Sequence, residues 1–85
     1  MPAEFLISRC YDVGSVGIIV AGSISSGLLR EGTIGRNFKG KKGMLVRIEK
    51  DGAQVPHAAE KDKVNIFIKY LTRADVKPGE VLHFD

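Results

Sequence analysis

The chain has 85 residues, 44% of them hydrophobic and 27% charged, with ten glycines and three prolines, which suits one domain with one modest core and excludes a long disordered or low-complexity protein. Its longest apolar run, Gly17 to Gly22, is far short of the roughly 20 residues of a membrane helix, and the N-terminus has no basic region followed by a signal-type core, so a soluble, cytoplasmic protein without a membrane partner is expected. The net charge is +3, and the single cysteine, Cys10, excludes an internal disulfide.

Glu4 to Val13 reads as a strand partly buried on both sides, with Phe5, Ile7, Arg9, Tyr11 and Val13 sharing one face and Leu6, Ser8, Cys10 and Asp12 the other. Gly14-Ser15 then turns into the stretch around which the rest is organised, Gly17 to Thr33. There Ile18, Val20 and Ile24 alternate with Ile19, Ala21 and Ser23, a period of two that marks a strand with a buried face. Gly22, inside that strand, signals a bend or a close backbone approach, and Gly27 and Gly32 close two tight turns around Leu28-Leu29.

Thr33 to Phe38 is a short strand, joined by the flexible basic loop Lys39-Gly40-Lys41-Lys42-Gly43 to a strand from Met44 to Lys50. Asp51-Gly52 is a hairpin signal, because both central positions of a type I′ turn need positive φ. Gln54 to Ala59 is extended but broken by Pro56, and Glu60 to Lys63 is a charged turn. Val64 to Leu71 is a second strong strand, with Val64, Ile66, Ile68 and Tyr70 alternating with Asn65, Phe67, Lys69 and Leu71. Ala74 to Lys77 suits one helical or 3₁₀ turn, and Glu80 to Phe84 a last strand. Short strands, glycine turns and no helix of three turns predict an all-β barrel.

Catalytic signatures are missing. Gly40-Lys41-Lys42-Gly43 lacks the spacing and the strand-to-helix setting of a phosphate-binding loop, so no nucleotide is expected. Cys10, His57 and His83 are not spaced as metal ligands. Cys10 reads as a small buried hydrophobe, His57 as a loop residue, and His83 as the outward residue between Leu82 and Phe84. Ser23, Ser25 and Ser26 fit strand and turn positions. The expectation is a non-enzymatic protein without catalytic residues, metal or cofactor, acting by binding.

The segment Gly17-Ile-Ile-Val-Ala-Gly22-Ser-Ile-Ser-Ser-Gly27-Leu-Leu-Arg-Glu-Gly32 resembles the G-x-V-x-x-G-x-[IV]-x-x-G-x-[IL]-x-x-G signature of the second domain of translational GTPases, the elongation factor Tu family. Val46 to Glu49 is similar to that family's S-I-E strand, Val55 to Val64 to its segment ending in G-D-x-V, and Asp75 to Leu82 to its closing d-I-x-x-G-x-V-L. The resemblance covers nearly the whole chain, in order. It implies a six-stranded Greek-key β-barrel. It also implies contact with RNA, since this domain touches the aminoacylated 3′ end of transfer RNA in elongation factor Tu and ribosomal RNA in several relatives. No nucleotide-binding domain accompanies the barrel here, so a free-standing module that does not switch with GTP is expected.

Some positions depart from the family. Ser8-Arg9 stand where elongation factor Tu has an acidic pair, Tyr11 where it has an aromatic residue, and Ser23 where many relatives have arginine. Lys61-Asp62 replaces the family's Gly-Asp turn and removes the residue that tolerates positive φ.

Charge distribution agrees with an RNA partner. Residues 1–29 sum to −1 and residues 51–85 to −1, whereas residues 30–50 sum to +5. Lys39, Lys41 and Lys42 on the glycine-flanked loop, with Arg30, Arg36 and Arg47 on neighbouring strands, suit phosphate neutralisation. Exposed aromatics, Tyr11 beside Arg9, Phe38 and Tyr70, suit base stacking, while Phe67 and Phe84 are expected in the core. Transfer RNA, ribosomal RNA or another structured RNA is the expected partner. The alternative is a protein-interaction module docking on a ribosomal or RNA-processing protein.

Overall fold

A computed structural model describes residues 2–13 and 17–85; the expected Gly14-Ser15 turn lies outside them. The strands are β1 (Ala3–Asp12), β2 (Ile18–Ser26), β3 (Leu28–Arg30), β4 (Ile34–Arg36), β5 (Lys42–Lys50), β6 (Ala53–Val55), β7 (His57–Ala59), β8 (Lys63–Lys69) and β9 (Val81–Phe84), with one 3₁₀ turn at Arg73–Asp75. Six of them close a ring in the order β1-β2-β8-β5-β4-β9, every pair antiparallel. Strands β4, β5 and β8 follow one another as a meander, and β9 returns to lie beside β4, which makes the barrel a Greek key. Closure removes the free edges that an open sheet of this size would expose. Strand β6 extends the β5 hairpin, and β3 pairs with β7 as a satellite ribbon. Among the described residues no helix is long and apolar enough to cross a membrane.

The ring is filled by the inward residues of its strands: Phe5 and Ile7, Ile18, Val20 and Ile24, Leu45 and Ile48, Val64, Ile66 and Ile68, Leu82 and Phe84. Each such side chain contributes about 1.5–3 kcal/mol on leaving water. Small residues make room for the large ones. A Cβ at Gly43 would come within 2.7 Å of both Ile68 Cγ2 and Leu71 Cγ, and one at Gly35 would strike the Phe84 ring. Gly22 is the close approach expected from its place in β2: a Cβ there would collide with the Leu6 carbonyl oxygen on β1. Asp51 and Gly52 have φ of 53° and 82°, as a type I′ hairpin requires.

Three expectations about side-chain direction are corrected. The β1–β2 register shifts between Ile7 and Arg9, so Ser8 is an extra residue and the alternation reverses after it. Arg9 and Tyr11 therefore do not share the face of Phe5 and Ile7; both are exposed, and Cys10 packs against the core margin, where burial pushes its thiol pKa up. Strand β8 ends at Lys69, and Tyr70, at φ 73°, leaves the strand face and stands 70% exposed, while Leu71 takes the buried place. Phe67 is outside and half-buried, because Ile66 and Ile68 occupy the inward positions around it. Phe84 is in the core as expected. His57 lies on β7 and not in a loop, and the basic loop is shorter than expected, since Lys42 and Gly43 already belong to β5.

Candidate nucleic-acid interface

Strands β1, β4 and β8 finish, and β2, β5 and β9 start, at one end of the barrel. Two connections meet over that end: residues 37–41 between β4 and β5, and residues 70–80 between β8 and β9. Leu71 and Val76 of the longer connection are 2% exposed and close the mouth of the core.

Asn37 joins the two connections. Its side chain is 6% exposed; Oδ1 accepts from the Lys39 amide (3.0 Å) and the Lys41 amide (2.9 Å), and Nδ2 donates to the Asp75 carbonyl (2.9 Å). Lys41 Nζ adds an ion pair with the Asp75 carboxylate at 2.8 Å. That ammonium is the main reason the Asp75 carboxyl titrates below the usual carboxylate range; the Thr72 amide, which donates to the same carboxylate, assists.

The strand ends and the two connections put Lys39, Lys41, Lys42, Lys69, Arg73 and Lys77 on one end of the molecule with Asp12, Asp75 and Glu80. Six basic and three acidic side chains leave +3 there, and the remaining seven of each sign in the chain cancel. Phe38 stands on this surface, 63% exposed, with Lys39 Nζ 5.5 Å from its ring centroid. Phe38 and Lys39 line a small hollow with Asn37, Ala74, Asp75, Lys77 and Glu80, which confirms that the two connections adjoin.

The structure gathers only part of the expected set. Phe38, Lys39, Lys41 and Lys42 are together on the capped end, and Arg36 pairs across to Lys42 but directs its guanidinium to Asp85. Arg30 is on the satellite ribbon, in a cleft with Leu28, Glu31, Pro56 and His57. Arg9, Tyr11 and Arg47 are on the outer wall of the ring. Register aligns Tyr11, Ile19, Phe67 and Arg47 in one row across β1, β2, β8 and β5, and Arg9, Ala21, Asn65 and Glu49 in the next. Small residues Ser8, Ala21, Gly22 and Ser23 leave a shallow groove of about 340 Å³ along the second row. Arg47 is held by Glu49 at 3.0 Å.

No protein-family model matches the chain. Elongation factor 1-alpha of Methanocaldococcus jannaschii is 27% identical over 82 residues, which cover 95% of this chain and 19% of that protein. Translation elongation factor SelB from Methanococcus maripaludis, in its apo form, superposes with a TM-score of 0.90 at 17% identity over 98% of this chain and 19% of its own. GDP-bound aIF5B from Aeropyrum pernix gives 0.85 at 21% identity over 98% of this chain and 14% of its own. The fold is that of the second-domain barrel of translational GTPases. The chain thus matches one domain of these translation factors and spans less than a fifth of their length.

Within this barrel the departures noted in the sequence have definite places. Arg9 stands on the groove opposite Glu49, with Ala21 and Asn65 between them. Lys61 adopts φ 76°, the conformation that a glycine would take without strain. Four members of the capped end, Lys69, Arg73, Lys77 and Asn37, are missing from the sequence-based set. The three cations belong to a segment whose summed charge is negative, so counting along the chain conceals them. Asn37 carried a usable signal, an asparagine just before a lysine-glycine turn, where its side chain caps backbone amides.

Proposed function

We propose that this barrel is a translation-related RNA-binding module, non-catalytic in itself, whose contact surface is the capped end. The observation that carries the reading is the meeting of the 37–41 and 70–80 connections, which concentrates a charge equal to that of the whole chain beside an exposed aromatic ring. Exposed lysines there neutralise phosphates and release counterions, a source of affinity without sequence preference. The relationship to a domain of translation factors supports structured RNA of the translation machinery, transfer RNA or ribosomal RNA, as the partner class.

The test is fluorescence anisotropy with transfer RNA, a ribosomal RNA fragment and duplex DNA over a salt series. Lys41 is left intact because it holds Asp75; the variant is Lys39→Glu, Lys42→Glu, Lys77→Glu. Submicromolar RNA affinity is expected to fall steeply with salt, with a slope about 2–3 units shallower in the variant, close to one unit per lost phosphate contact. Equal binding by variant and parent would remove the capped end from consideration. A second reading, docking on a ribosomal or RNA-processing protein, draws on the apolar row Tyr11, Ile19 and Phe67. It gains if all three nucleic acids bind weakly.

A further inference from the structure

Tyr70 is the feature of the capped end that the phosphate reading does not use. Its φ of 73° is a conformation that a bulky L-residue adopts only at a cost and a glycine adopts freely. The strain is not repaid locally. The side chain is 70% exposed, and among the described residues it makes no hydrogen bond or ring contact. The backbone cannot relax easily either, because Lys69 is fixed opposite Met44 on β5 and Leu71 is locked into the core. The result is an aromatic ring held out into solvent from a rigid base.

Phe38 is the second such ring. It follows β4, and Tyr70 follows β8; both strands flank β5, so the two rims lie about two strand spacings, roughly 10 Å, apart. Lys42 starts β5 between them, and Lys39 sits at the Phe38 ring. Two exposed rings with cations between them match the needs of an unpaired strand, whose bases offer free faces and whose phosphates alternate with them. A duplex hides those faces in its own stack and could use only the cations.

Resting on the RNA reading above, we propose that Phe38 and Tyr70 form a base-stacking platform by which this barrel selects unpaired RNA over duplex RNA. Tyr70 is then a case of local strain retained for binding, with opposite effects on stability and affinity.

The 85-residue chain is titrated with a short mixed-sequence RNA strand and with the same strand in duplex, for the parent, Phe38→Ala, Tyr70→Gly and the double variant, while thermal melting follows the fold. Tyr70→Gly is expected to melt at or above the parent temperature, since it relieves φ strain at a side chain that stands mostly in solvent. Each aromatic replacement is expected to weaken single-strand binding roughly 5- to 100-fold and to leave duplex binding unchanged. In a Tyr11→Phe background Tyr70 is the only tyrosine, and the chain has no tryptophan; its fluorescence is expected to be quenched by the single strand and not by the duplex. If salt-dependent RNA binding persists but neither replacement alters the preference for the unpaired strand, the platform is refuted and the RNA reading stands. If neither RNA binds the parent, the platform is refuted, and the RNA reading is decided by the transfer RNA and ribosomal RNA titrations above.

Discussion

Replacing Asn37 by alanine removes the buried side chain that ties the two connections of the capped end together and leaves the exposed Lys41–Asp75 ion pair as the other side-chain link between them. Three hydrogen bonds are lost, two accepted from the Lys39 and Lys41 amides and one donated to the Asp75 carbonyl. At about 0.5–1.5 kcal/mol each the sum is roughly 1.5–4.5 kcal/mol. The lower half of that range is expected, because Lys39 and Lys41 are exposed and water can reach their freed amides. For a domain of this size that is a fall in melting temperature of about 6–24 °C. Asn37→Asp separates the contributions: it keeps both acceptors and loses only the donation to Asp75, while adding a negative charge near the Asp75 carboxylate. Urea unfolding gives the energies, and amide hydrogen exchange at Lys39 and Lys41 gives the local consequence. Protection should vanish in Asn37→Ala and survive in Asn37→Asp. An alanine variant within about 0.5 kcal/mol of the parent, with both amides still protected, would show that the basic loop is held by something else.

Two further expectations concern the rest of the molecule. Lys61→Gly should raise stability by about 0.5–1 kcal/mol, the relief of a left-handed lysine less the added freedom of glycine in the unfolded chain; a lower melting temperature would contradict the strain argument. Stability should hold from neutral pH to about 5 and decline through the usual carboxylate range near 4. The carboxyls of Asp75, Asp62 and Glu31 are all depressed in the fold, mainly by hydrogen bonds from Lys41, the Ala59 amide and Gln54 respectively, so their contribution is present above the unfolded pKa and lost on acidification. Melting temperature against pH checks the sign. Stability that rises on acidification would overturn it, and Asp75→Asn should flatten the decline.

The barrel was legible in the sequence where one strand carries its own signal. Ile18, Val20 and Ile24 point inward as their alternation requires, Gly22 is a close approach, and Asp51-Gly52 is a hairpin. What failed needed two strands or a backbone angle. The bulge at Ser8 exists only relative to β2, so nothing in the order Phe5, Ile7, Arg9, Tyr11 announces that the last two turn away. Tyr70 continues the period of Val64, Ile66 and Ile68, and a single φ of opposite sign removes it from that face. The site was half legible for a related reason. Lys39, Lys41 and Lys42 are neighbours in sequence, but Lys77 joins Lys39 at one hollow only because the 70–80 connection crosses the barrel mouth to β9.

That crossing also changes what the net charge means. The molecule measures 26 × 25 × 22 Å, and the Debye length at physiological salt is about 8 Å, so a polyanion at one end is screened from charges at the other. It meets the six cations of the capped end and not the chain's average. A modest net charge of +3 can therefore accompany a strong local attraction, provided that the opposing acids lie elsewhere, as seven of the ten do. Salt then separates the two contributions to binding. Phosphate neutralisation weakens linearly in the logarithm of salt concentration, whereas stacking on Phe38 and Tyr70 is largely insensitive to it. Affinity for an unpaired strand that persists at high salt, and is lost with Tyr70→Gly, would belong to the rings and not to the lysines.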